Sequence, residues 1–130
     1  AAFGQCAPTS VFSPMFYLDA ALEHGATVDL PTQYEERAAY VAEGEIEVED
    51  SRYGPGQMVV FAAGSTAAVL ATMPSRAMLL GGAPLDGPRY IWWNFVSSSR
   101  ERIEQAKRDW QQGGFAPVPG DDERIPLPGP

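Results

Sequence analysis

The sequence predicts an all-β fold of short antiparallel strands, closed as a sandwich or barrel and followed by one C-terminal helix. Three observations carry this. Turn signals fall at Gly25, Pro31, Gly44, Gly54-Pro55-Gly56, Gly64-Ser65, Pro74-Ser75, Gly81-Gly82 and Gly87-Pro88, close to the spacing of strands in such folds. Glu45-Ile46-Glu47-Val48-Glu49 alternates strictly, so Ile46 and Val48 share one face and three carboxylates the other. A helical pattern follows Ser97-Ser98-Ser99 and ends at Gly113.

Taken in order, Tyr40-Val41-Ala42 is expected to pair with the alternating strand as a hairpin across Glu43-Gly44, because a turn glycine supplies positive φ. Further strands are expected at Met58 to Phe61, Ala67 to Met73, Ala77 to Leu80 and Tyr90 to Phe95. In the last of these both parities are bulky and apolar, which predicts a strand covered on both faces. The helix is expected near Ser99 to Gln112. Ser98 and Glu101 are spaced for a capping box, Ile103, Ala106 and Trp110 share a face, and Glu104 and Arg108 are spaced for an ion pair. The proline-rich tail from Phe115 to Pro130 is expected to lie extended on the surface.

At 130 residues and 45% apolar, the chain fits one domain with one core. The 9 basic and 17 acidic residues leave a net charge of −8, which repels phosphate backbones and argues against direct nucleic-acid binding. A single cysteine, Cys6, excludes an internal disulfide and a thiolate zinc cage and suits a reducing cytoplasm. The longest apolar-leaning stretch, Met58 to Thr72, is too short to span a bilayer as a helix, so no membrane association is expected.

Catalytic motifs are scarce. The only histidine, His24, sits beside a glycine turn with no ligand at metal-binding spacing, and reads as a solvated loop residue. Glu43, Glu45, Glu47, Glu49 and Asp50 read as the wet face of a strand rather than a cation ridge. No nucleophile elbow, Walker loop or dinucleotide fingerprint occurs, and the serine run suits helix capping.

Gly25, Gly44, Gly56 and Gly64 fall without a gap on the glycines of the two cupin motifs, G-x5-H-x-H-x3-E-x6-G and G-x5-P-x-G-x2-H-x3-N. The chain therefore resembles a cupin, which implies a double-stranded β-helix or jelly roll. In this register the metal-ligand positions of the first motif become Pro31, Gln33 and Arg37, and the second motif's proline, histidine and asparagine become Ala62, Ala67 and Ala71. None is a good ligand, and Arg37 would repel a divalent cation, so neither a metal nor any other cofactor is expected in this chain. By strand parity Gln33, Arg37, Ala39, Val41, Ala67, Val69 and Ala71 face inward; Gln33, Arg37, Val41, Ala67 and Val69 are the candidate cavity lining. A buried Arg37 needs a carboxylate or carbonyl partner.

Met78-Leu79-Leu80-Gly81-Gly82-Ala83-Pro84-Leu85, then Tyr90-Ile91-Trp92-Trp93-Asn94-Phe95-Val96-Ser97-Ser98, then Asp109-Trp110 and the tail Val118-Pro119-Gly120-Asp121-Asp122-Glu123, resemble the C-terminal cupin domain of the pirin family. Ser13-Pro14-Met15-Phe16-Tyr17-Leu18-Asp19 is similar to the lead into that domain. The resemblance implies a single cupin domain over 1–130: a lead-in and first strand to 18, barrel 19–96, helix 97–113, extended tail 114–130. It implies the second half of a bicupin, in keeping with an Ala1 start. Iron or another divalent metal would sit in the absent N-terminal domain. The expected role is a non-catalytic, metal-free half that packs against and shapes that metal-bearing domain through an apolar patch; exposed in isolation, the patch would favour self-association of the fragment. Two alternatives stay open: a share in a quercetin 2,3-dioxygenase-like, flavonol-opening enzyme, or a barrel binding a small molecule. Partners in transcriptional regulation, also implied by the resemblance, would be proteins.

Overall fold

The computed structural model describes residues 3–129, which form two compact units divided between Pro84 and Leu85. The first contains β1 (Met15–Leu22), β2 (Thr27–Asp29), β3 (Glu36–Glu43), β4 (Ile46–Val48), β5 (Ser51–Tyr53), β6 (Met58–Phe61), β7 (Ala68–Ala71) and β8 (Ser75–Gly82). These strands pair antiparallel. β4 pairs with β5, β3 with β6, β2 with β7 and β1 with β8, as in one long two-stranded ribbon folded at its tip. Cross-pairs β3 with β8 and β4 with β7 roll the ribbon into two four-stranded sheets, ordered β1-β8-β3-β6 and β2-β7-β4-β5. This is the eight-stranded jelly roll.

Local chemistry sets the corners. The ribbon's tip is a two-residue turn at Glu49-Asp50, both at positive φ (48° and 62°), the pattern of a type I′ turn whose twist matches its flanking strands. Glu49 is therefore a turn residue, not the end of the alternating strand. The four frame glycines 25, 44, 56 and 64 all have φ between 75° and 83°. Gly44 does not close a hairpin: β3 and β4 lie in different sheets, and Gly44 carries the chain from one to the other. A Cβ there would lie 2.4 Å from the Pro74 carbonyl oxygen. The close crossing requires glycine just as a tight turn would, which is why the local sequence suggests a hairpin.

The core lies between the two sheets. Phe16, Leu30, Tyr34, Ala39, Val41, Ile46, Val48, Phe61, Ala67, Val69, Ala77 and Leu79 are buried together there. Ile46 and Val48 turn inward from β4 as their alternation predicts, while Glu45 and Glu47 share Arg52 at 3.2 and 3.4 Å on the other face.

In the second unit, residues 90–95 do not form one strand covered on both faces. β9 (Tyr90–Trp92) and β10 (Phe95–Ser97) make a hairpin whose two-residue tip is Trp93-Asn94, with Trp93 at φ 51°. The bulk on both parities instead feeds a cluster of Trp92, Trp93, Phe95, Trp110 and Phe115, with ring centroids 5.3–6.4 Å apart. α1 (Arg100–Gln112) begins one residue later than a Ser98 cap would place it. Ser99 is the N-cap: its hydroxyl accepts from the Arg102 N–H at 3.3 Å and donates to Glu101 at 2.6 Å. Glu104 pairs with Lys107 at 2.7 Å rather than with Arg108, which donates to Gln105. Gly113, left-handed at φ 75°, ends the helix. The tail has no regular structure; the Trp110 indole N–H donates to the Ile125 carbonyl at 2.8 Å. No described helix is long and apolar enough to cross a membrane.

Candidate functional site

Two places in the first unit carry more chemistry or exposed apolar surface than folding requires. One is the barrel end where the β2–β3 and β6–β7 loops meet. The Leu30 N–H donates to the Ala67 carbonyl at 2.8 Å, which ties the loops together. Of the residues at the cupin ligand positions, Arg37 and Ala67 are buried, Pro31 is half-buried, and Gln33 is exposed. Gln33 lies in the loop before β3 rather than in the strand, so strand parity does not reach it and it does not line the interior. Val41 and Val69 are fully buried and belong to the packed core. In the second motif's register Ala71 is buried and Ala62 exposed.

Arg37 is 3% exposed. On the inner face of its sheet it sits between Phe61 on β6 and Gly81 on β8, and Gly81 is followed by Phe16 on β1. A side chain at Gly81 would strike the Phe16 ring, which packs against Tyr34 at 4.9 Å. The Arg37 Nη2 donates to the Ser65 carbonyl at 2.7 Å, the kind of partner an inward arginine requires. Its Nε and Nη1 are buried with no hydrogen-bond partner among the described residues. These residues do not fit a divalent cation: a buried permanent positive charge occupies the place, and among the described residues no three of His, Cys, Asp or Glu converge. His24 is exposed in the β1–β2 turn. A surface cleft of about 540 Å³, lined by residues including Leu22, Glu43 and Arg76, involves none of the ligand positions.

The second place is the outer face of the sheet β1-β8-β3-β6. Its cross-strand rows read Tyr17-Leu80-Ala38-Val60 and Asp19-Met78-Tyr40-Met58, so seven of eight positions are apolar or aromatic. Tyr17 is 62%, Val60 72% and Met58 51% exposed. Asp19, the polar member, takes a two-pronged bond from Arg76 that holds its carboxyl below the usual carboxylate range. The outer face of β2-β7-β4-β5 differs: its row reads Thr27-Leu70-Glu47-Arg52. Sequence inspection missed this asymmetry, although β3 and β6 are apolar on both parities and β4 is not.

Comparison with known proteins gives four findings. Residues 17–116 match the Pirin C-terminal cupin domain family. A pirin-like protein of Caulobacter vibrioides is 51% identical over 128 residues, which cover 98% of this chain and 44% of that protein. A Pseudomonas aeruginosa protein provisionally named a quercetin 2,3-dioxygenase is 30% identical over 85% of this chain and 36% of its own length. The crystal structure of a quercetin 2,3-dioxygenase from Acinetobacter baumannii superposes with a TM-score of 0.81 at 21% identity, covering 99% of this chain and 45% of that one, which shows the shared fold. The chain spans less than half the length of the relatives it matches.

Proposed function

The chain belongs to the pirin family through its C-terminal cupin domain, and on that premise we propose that it is the non-catalytic half of a two-domain protein, docking against a metal-bearing N-terminal cupin and shaping that domain's site. The observation that carries this is the contrast between the two outer faces. An antiparallel sheet with one solvated face normally alternates, as β4 does. The outer rows of β1-β8-β3-β6 are instead apolar or aromatic at every position but Asp19, the kind of exposed patch that marks a protein interface. The metal, iron or another divalent ion, belongs to the partner domain, because the ligand positions here carry Pro31, Gln33, Arg37 and Ala67.

Three of the four methionines, Met15, Met58 and Met78, lie on this outer face, while Met73 lies in the β7–β8 turn. Hydroxyl-radical footprinting of the whole parent protein against the 130-residue chain therefore tests the docking. Met58 and Met15 should be protected in the parent, with Met73 oxidising equally in both. Equal oxidation of Met58 would overturn the docking face. The isolated chain should also self-associate through this face, giving concentration-dependent protection of Met58.

A second reading concerns the parent protein. The relative bearing a quercetin 2,3-dioxygenase name favours a flavonol-opening oxygenase, to which this domain would contribute shape and no catalytic residue. Metal content and quercetin consumption, measured on the 130-residue chain and on the parent, decide the shares. Stoichiometric iron with turnover in the short chain would refute its non-catalytic role.

A further inference from the structure

We infer that the loop end of the barrel is a receptor for a small carboxylate, held by Arg37. The inference does not depend on the docking face, because Arg37 points to the inner side of the sheet. A guanidinium keeps its charge throughout the accessible pH range and offers five donors. At 3% exposure, Arg37 has one neutral carbonyl partner, and its Nε and Nη1 have none among the described residues. No described carboxylate lies within ion-pair distance of it, although the chain carries 17 acidic residues.

An ordered water could satisfy the donors but would leave the buried charge uncompensated; an oxyanion satisfies both. The Ser65 carbonyl that Arg37 reaches lies in the β6–β7 loop, and Ser65 is half-buried, so the loop end is the side from which a ligand would enter. The phenyl and phenol rings of Phe16 and Tyr34 belong to the core on the same inner side, an apolar setting that would favour a small organic acid over a hydrated inorganic ion. The position aligned with a cupin's anionic metal ligand thus carries the cation, and the sign of the expected occupant is reversed.

The probe is acetate, titrated into the 130-residue chain at constant ionic strength against chloride, with thermal unfolding and ¹⁵N NMR of the arginine Nε–H groups as readouts. Acetate should raise Tm saturably, by about 5 °C or more at a hundredfold excess over Kd, and should shift the Arg37 Nε–H resonance with the same midpoint. Arg37→Met should abolish the acetate dependence whether it raises or lowers the baseline Tm. Should that variant fail to fold, the Arg37 resonance in the unaltered chain decides alone. Equal acetate dependence in both proteins, or an Arg37 signal unmoved by acetate, would overturn the inference and make Arg37 a water-satisfied structural residue.

Discussion

Gly44→Ala should destabilise the barrel far more than Gly25→Ala, although both glycines occupy the same motif frame at nearly the same φ, 78° and 81°. A left-handed backbone at a residue with a Cβ costs about 1–2 kcal/mol, and this contribution is common to both. At Gly25 nothing lies within 4 Å of the added carbon. At Gly44 the added carbon falls 2.4 Å from the Pro74 carbonyl oxygen, 2.4 Å from the Ser75 hydroxyl and 2.7 Å from the Ser75 Cα, so backbone must move. Overpacking of this kind costs about 1–3 kcal/mol. The Ser75 hydroxyl is itself engaged: it accepts from the Glu45 N–H at 3.0 Å and lies 2.9 and 2.8 Å from the Glu45 and Met73 carbonyls. Displacing it removes a further ~1 kcal/mol. Gly44→Ala should therefore lose about 3–6 kcal/mol in all, a large part of a typical domain's stability. Urea unfolding followed by far-UV circular dichroism is the suitable assay, since all three tryptophans lie in the second unit and their fluorescence would report on that unit. Losses for the two variants that agree within about 0.5 kcal/mol would refute the account of Gly44 as a steric crossing point.

Two further perturbations separate other contributions. Asp19 is held below its ordinary pKa by the Arg76 hydrogen bonds, so its share of stability is present above the unfolded carboxylate value and is lost as pH falls through the lower folded value. Thermal melts in acid should thus show a shallower pH slope for Asp19→Asn than for the unaltered chain; Asp86 and Glu101, shifted the same way, leave the remaining slope. An unchanged slope would show that the exposed pair contributes nothing measurable. Trp110→Phe keeps an aromatic ring but removes the donor to the Ile125 carbonyl, worth about 0.5–1.5 kcal/mol, so amide exchange and proteolysis over residues 115–129 should quicken while α1 stays protected.

How much of this was legible in the sequence depended on whether a feature was local. Met58–Phe61 emerges with the expected bounds, and the Gly113 stop is where the pattern puts it, because each is set by its own few residues. Gly44 reads as a hairpin turn in the sequence because a positive-φ glycine looks the same in a tight turn and in a crossing between sheets; only the partners of β3 and β4, residues distant in sequence, distinguish them. The Trp93-Asn94 tip was hidden because tryptophan is not a turn residue, and its left-handed φ is compensated by ring packing against Trp110 and Phe95. Glu49-Asp50 was hidden because the alternation of acidic residues runs one position past the strand's end. At the candidate site, the glycine register located Arg37 but also enrolled Gln33, since spacing alone cannot say where a strand begins.

The two faces of β3 draw these threads together. In Arg37-Ala38-Ala39-Tyr40-Val41, alternate residues serve different purposes: Arg37, Ala39 and Val41 point into the barrel, Ala38 and Tyr40 into the outer rows. A strand exposed on one side would carry polar residues at 38 and 40, as β4 carries Glu47. Small or apolar residues on both parities mean that both sides expect cover, and the barrel supplies only one. The charge on the inner side follows a separate logic. A metal-free scaffold could fill the ligand positions with apolar side chains, as Ala67 does. Burying an arginine with a single carbonyl partner among the described residues is costly. The apolar outer face and the charged inner position are therefore separable: Val60→Glu should abolish docking without altering the acetate response, and Arg37→Met should do the reverse.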